Sequence, residues 1–170
     1  MLARSATIIK WVLYALAGLA CAVVQAAVLQ RFTLWGVIPF LYPLIAALPA
    51  TFEGPAAGTV YALAAGVLCA LLLPSPIPCF YTLIFPLVGL SAGLLSQSLI
   101  PAGYLCSAAA SLPAYLLTGV FHCIVLWATG HAAWTAGLSV TLRELCVSLP
   151  WSLPMAWLFR KVYRRVHIDD

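Results

Sequence analysis

The chain has 170 residues, of which 65% are hydrophobic and 7% are charged, and its mean hydropathy is +1.09. No Asp, Glu, Lys or Arg occurs from Gly54 through Leu142. A water-soluble domain cannot cover itself with so few polar groups, so the composition excludes that class and indicates an integral membrane protein. The net charge of +4 gathers near the two ends and reads as a topology signal, with no nucleic-acid partner implied.

Unpaired backbone polar groups are not tolerated in hydrocarbon, so the spans must be helices or a closed barrel. Barrel strands alternate apolar and polar residues over about 10 positions, whereas this chain carries much longer continuous apolar runs, which predicts helices. Arg4 and Lys10 precede the first run, Trp11 to Leu29, which is longer than the apolar core of a signal peptide and reads as a retained span. Gln25 and Gln30 lie toward its far end, and an amide there is expected to bond to a neighbouring helix. Arg31 to Gly36 forms a short connection, with Trp35 at interfacial depth. The second run, Val37 to Phe52, contains Pro39, Pro43 and Pro49 and is expected to be kinked and short of backbone bonds. At 1.5 Å per residue it reaches only about 24 Å, against about 30 Å of hydrocarbon.

Glu53 to Leu73 is the stretch around which the chain reads as organised. It starts at the only acidic residue before position 144 and places Gly54, Gly58 and Gly66 along an apolar helix, so that a neighbouring backbone can approach. Pro74 to Cys79 (PSPIPC) ends it, because three prolines in so short a stretch cannot continue a helix. The fourth span, Phe80 to Leu95, carries Gly89 and Gly93 as a second G-x-x-x-G. The fifth runs from Tyr104 to Thr129 and includes Pro113, Gly119 and His122. Gly130 to Thr141 reads as a loop or surface helix, and Arg143-Glu144 opens a sixth span ending near Phe159, before the basic tail Arg160, Lys161, Arg164 and Arg165. The expected layout is a single six-helix membrane domain, all-α, with spans at 11–29, 37–52, 56–73, 80–95, 104–129 and 144–159. Six spans place both termini on one side, and the positive-inside bias makes that side cytoplasmic.

Three constellations bear on chemistry. Gly89-Leu90-Ser91-Ala92-Gly93 is a literal G-x-S-x-G, with His122 on the next helix as a potential base. The admissible version would be an intramembrane serine protease with a dyad on two helices; rhomboid proteases, however, have Gly directly after the serine, where this chain has Ala92. Without that dyad, Ser91 between glycines reads as part of a tight helix crossing. His122 is the only ionisable residue well inside an expected span, and a hydrogen-bonded neutral histidine accounts for it. Arg143 and Glu144, about 100° apart on a helix, are expected either to reach toward the outer interface or to contact a partner there. The basic tail fits anionic lipid or an acidic partner. The six cysteines, 21, 69, 79, 106, 123 and 146, have no metal-ligand spacing and read as small packing residues, so neither metal nor cofactor is expected.

In layout and in several segments the chain resembles the rod-shape-determining membrane protein family MreD. The resemblance rests on Leu29-Gln30 before a short outer loop, Pro39 opening the second span, the Gly54, Gly58 and Gly66 ladder, and the Tyr81 to Gly93 segment. It rests also on Arg143, on Leu149-Pro150-Trp151, and on the Leu158 to Val162 exit into a basic tail. One departure is that the family commonly has an Asp where this chain has Cys69 and Ala70. The resemblance implies a non-enzymatic scaffold of the cell-elongation complex in the bacterial inner membrane. Its partners would be an MreC-like single-span protein and, indirectly, actin-like MreB and the peptidoglycan synthases. Partner contact would involve Arg31, Arg143, Glu144 and Trp151. The alternative is the substrate-binding subunit of an energy-coupling-factor vitamin transporter, similar in size and helix layout, docking through a face such as Ala22 to Ala26.

Overall fold

The computed structural model describes the chain except residues 1, 75, 76, 102, 131–133 and 167–170, with only the backbone described for residues 2–6. Part of the expected 74–79 break, the start of the 130–141 segment, the Arg4 side chain and the last four residues of the basic tail therefore lie outside the described residues. The described residues form helices joined by short connections, with no strand among them: α1 (Leu2–Ala27), a 3-10 turn at Leu29–Arg31, α2 (Tyr42–Glu53), α3 (Pro55–Leu72), α4 (Phe80–Ser98), α5 (Tyr104–Ala128), α6 (Trp134–Ser148), a 3-10 turn at Leu149–Trp151, and α7 (Ser152–Val166). Four of these segments, Thr7–Arg31, Pro55–Leu72, Phe80–Ser98 and Tyr104–Ala128, are long and apolar enough to cross a membrane.

The centre of the bundle is α2, and this corrects the expectation that Glu53 to Leu73 organises the chain. Every residue of α2 from Tyr42 to Thr51 is buried, whereas α3 buries only Gly58, Ala62, Gly66 and Cys69. The second run also differs from the expected 37–52. The helix starts at Tyr42 with Pro43 in its first turn, where the missing N–H has no intrahelical partner to lose, while Pro39 disfavours helical backbone in Ile38 before it. Residues 37–41 are consequently non-helical, and the 12 residues of α2 span only about 18 Å. At its other end, Gly54 adopts φ +86°, a left-handed conformation that reverses the chain directly into α3.

The small residues of α3 meet α4 and α2 directly. A Cβ at Gly66 would sit 2.6 Å from the Tyr81 carbonyl oxygen, one at Gly89 2.9 Å from the Gly58 carbonyl oxygen, and one at Gly93 2.5 Å from Pro55 Cα. A Cβ at Gly58 would run into Ala50 of α2. The two glycine series thus face one another, with backbones close enough that dispersion contact holds the helices together where lipid supplies no hydrophobic drive.

The last third departs most from the 144–159 expectation. A helix already begins at Trp134 and packs on α5, where Thr141 occupies the space a Gly119 side chain would need and Cys123 that of Gly137. Apart from residues 131–133, which are not described, the 130–141 segment is thus a surface helix from Trp134, one of the two expected alternatives, with Gly137 and Thr141 set against α5. The helical course then breaks at Leu149–Trp151, because Pro150 and Pro154 lack the N–H groups that would continue the ladder. Beyond the break α7 packs its rings on the core, Phe159 against Tyr14 at 6.2 Å and Tyr163 against Phe52 at 5.7 Å.

Replacing Gly58 with Leu should destabilise the bundle by about 1–3 kcal/mol or more, because the Ala50 backbone cannot yield as a flexible side chain would. Thermal unfolding in detergent should show a lowered midpoint for Gly58→Leu and none for Gly103→Ala, whose added Cβ meets nothing closer than 3.8 Å.

Candidate functional site

The non-helical segment 37–41 creates the polar centre of the molecule. Pro43 has no N–H to give the Pro39 carbonyl, and the first turn of α2 leaves further groups unpaired. Side chains from three other helices pair them. Gln25 of α1 donates through Nε2 to the Pro39 carbonyl at 2.7 Å and accepts at Oε1 from the Leu41 N–H at 3.0 Å. Tyr115 of α5 donates its hydroxyl to the Phe40 carbonyl at 2.6 Å, and Ser148 Oγ of α6 accepts from the Phe40 N–H at 3.0 Å. The amide of Gln25 thus serves irregular backbone in place of the neighbouring helix expected for it.

Around this segment lie two cavities. One, of about 280 Å³, lies between α5 and α6 and is walled by Phe40, Tyr81, Tyr115, Thr118, His122 and Glu144. The other, of about 570 Å³, opens between the 35–40 connection and α6, with Gln30, Trp35 and Arg143 on its rim. Phe40, Val140 and Glu144 line both. Glu144 is about ten residues into α6, roughly 15 Å along its axis, which removes it from the helix start where the sequence had placed it. Arg143 is exposed and lines only the outer of the two volumes.

The opposite end of the bundle holds most of the charges. Lys10 forms an ion pair with Glu53, and the Tyr14 hydroxyl donates to the other Glu53 oxygen at 3.0 Å. The Glu53 side chain is only 6% exposed, so this acid ties α1 to the α2–α3 turn. Beside it, Arg160 stacks over Tyr104 at 5.0 Å and Lys161 over Trp157 at 5.1 Å. With Arg164 and Arg165 these residues line an open basic recess suited to phosphate groups.

The remaining sequence candidates separate by location. Gly58, Gly66, Gly89 and Gly93 lie in helix contacts, whereas Gly54 is a turn residue facing Gln97. Arg31 is exposed on the 3-10 turn after α1, on the cavity side of the bundle, and Trp151 is half-buried at the α6–α7 break. Ser91 and His122 are not brought together. His122 packs in a tilted arrangement against Phe80 at 5.6 Å, and Ser91 is eleven residues beyond Phe80 along α4, about 16 Å away by helix rise, with its hydroxyl given to the Val88 carbonyl. Tyr115, Ser148, Thr141 and Gly137 went unnoticed in the sequence. The mark that points to a need for Tyr115 and Ser148 is Pro39 with Pro43, which announces backbone groups in need of partners, whereas nothing local marks Thr141 and Gly137. Comparison of the chain with protein-family models, with curated proteins and with solved structures finds no match.

Gln25→Leu strands a buried carbonyl and a buried N–H and should cost about 2 kcal/mol or more, read as a lowered unfolding midpoint in detergent. Gln30→Leu, at an exposed position, should leave that midpoint unchanged. At the other end, replacing Arg160, Lys161, Arg164 and Arg165 together by Gln should remove bound anionic lipid, each charge contributing about 1 kcal/mol. Native mass spectrometry of protein extracted from phosphatidylglycerol-containing membranes should show retained lipid in the wild type and its loss in the variant.

Proposed function

We propose that the chain is a non-enzymatic scaffold of the cell-elongation complex, with six spans and both basic ends in the cytoplasm, seating the transmembrane helix of an MreC-like partner. The observation that carries this reading is an apolar groove of about 120 Å³ between α1 and α3, lined by Ala15, Gly18, Ala22, Ala64, Ala65 and Leu68. Small residues along a lipid-facing groove are what a crossing helix packs against most closely. The glycine series of α3 is taken up internally by α2 and α4, so the alanines flanking it remain for a partner. In this reading α2 is the short, fully enclosed span, and α6 with α7 form one broken span. The cytoplasmic end is that of the Lys10–Glu53 pair and the basic recess, in keeping with the positive-inside rule. The scaffold would reach MreB and the peptidoglycan synthases through that partner.

A second reading, the substrate-binding subunit of an energy-coupling-factor transporter, is favoured by one observation, the pair of cavities meeting at Glu144. A vitamin co-purifying with the chain would decide for it, and a stable complex with a single-span periplasmic coiled-coil protein would decide for the scaffold.

Ala64 is exposed within the groove, so Ala64→Trp should fill it without disturbing the core and reduce recovery of the MreC-like partner several-fold in detergent pull-downs. Arg31→Glu with Arg143→Glu should weaken the same recovery at the partner's outer contact. Undiminished recovery from both variants would overturn the proposed docking.

A further inference from the structure

Glu144 is the one carboxylate among the described residues that faces a cavity. No hydrogen bond or ion pair engages it there, whereas Glu53 is held by Lys10 and Tyr14. No buried side-chain oxygen in the described residues lacks a partner, so the Glu144 oxygens are open to the space they line. A carboxylate at this depth is costly unless paired, and the cavity supplies no cation: Arg143 lines only the outer volume. The cavity that Glu144 lines carries instead four aromatic rings, Phe40, Tyr81, Tyr115 and His122, among small and aliphatic side chains. A carboxylate with aromatic faces is the recognition chemistry of an ammonium group: the charge pairs with the acid and the C–H or N–H surface lies against the rings.

We propose that the two cavities form one binding site for a small organic ammonium compound, its charged group on Glu144 in the inner volume and its access through the outer one. The inner volume of about 280 Å³ lies near the lower end of ligand sites, usually ~300–1,000 Å³, so the ligand is small. The rigid wall is the pinned segment Pro39–Leu41, whose backbone is held by Gln25, Tyr115 and Ser148 and therefore does not turn toward Glu144 to satisfy it. The ammonium can belong to a soluble amine or to the headgroup of phosphatidylethanolamine reaching in between α5 and α6. The scaffold reading counts Glu144 among its partner contacts and the transporter reading rests on these same cavities, so the test uses the purified chain without a partner, and its failure leaves the groove between α1 and α3 unaffected.

The experiment is calorimetric titration of the full chain in dodecylmaltoside with phenethylammonium and, as the neutral comparison, 2-phenylethanol. Native mass spectrometry of the chain from membranes containing both phosphatidylethanolamine and phosphatidylglycerol provides the lipid arm. The expected result is saturable binding of phenethylammonium or selective retention of phosphatidylethanolamine, the first or second identifying the source, with the alcohol at least about tenfold weaker. Glu144→Gln should weaken the observed binding by about tenfold or more. Val140→Trp should also weaken it, because Val140 lies on the wall shared by both cavities and its enlargement obstructs the passage while leaving the acid intact. Should Glu144→Gln fail to fold, Val140→Trp carries the test. Absence of both phenethylammonium binding and phosphatidylethanolamine selectivity in the wild type overturns the proposal, as does equal binding by the wild type and the folded variants.

Discussion

The structure depends on how the backbone of Pro39–Leu41 is satisfied. A non-helical stretch within an apolar bundle is tolerated only where protein groups replace the missing ladder. Gln25, Tyr115 and Ser148 do so from α1, α5 and α6, so three helices far apart in sequence are tied to one short segment. That tie sets where α2 begins and leaves it enclosed by its neighbours. It also spreads α5 and α6 around Phe40, which borders both cavities. The irregular segment and the cavities are in this sense a single feature.

Helix packing follows a second constraint, the absence of a hydrophobic drive between lipid-facing surfaces. The chain answers it by bringing backbones close. Gly66 and Gly93 lie against Tyr81 and Pro55, Gly58 lies against Ala50, and α5 meets α6 through Gly119 and Gly137. Polar side chains within the helices are satisfied locally: Ser91, Ser107, Ser111 and Thr118 return their hydroxyls to carbonyls three or four residues earlier. Gln25, Tyr115 and Ser148 around Pro39–Leu41, and Lys10, Tyr14 and Tyr61 elsewhere, reach across between elements to hold backbone or charge.

The two ends of the bundle are therefore chemically different. The Lys10–Glu53 end is paired internally and bordered by Arg160, Lys161, Arg164 and Arg165, so it presents positive charge to its surroundings. The Gln25–Pro39 end contains uncharged polar groups already engaged with backbone, the exposed Arg31 and Arg143, and one carboxylate, Glu144, with no hydrogen bond or ion pair. The dense basic recess is thus confined to one end, and the one unpaired carboxylate among the described residues to the other. The flank between α1 and α3 stays apolar.

What the sequence determined by itself was the class and most of the helical course. The composition admits no soluble fold, and four runs of sufficient length and apolarity form helices able to cross a membrane. Hydropathy is a local property, so it is legible residue by residue, and so are proline breaks such as the one that follows α3. The facing glycines of α3 and α4 were legible as well, because a four-residue spacing sets them on one helix face. Only the tertiary structure decided that α2 is the centre, that a packed helix begins at Trp134, and that Glu144 faces a cavity deep in α6. The 130–141 segment reads as a loop or surface helix when taken alone, and the helix from Trp134 goes with the fit of Thr141 and Gly137 against Gly119 and Cys123. Nor does Gln25 announce Pro39, fourteen residues on, as its partner. Each of these depends on a contact between distant residues, and burial and pairing are properties of the assembled bundle that no local pattern carries.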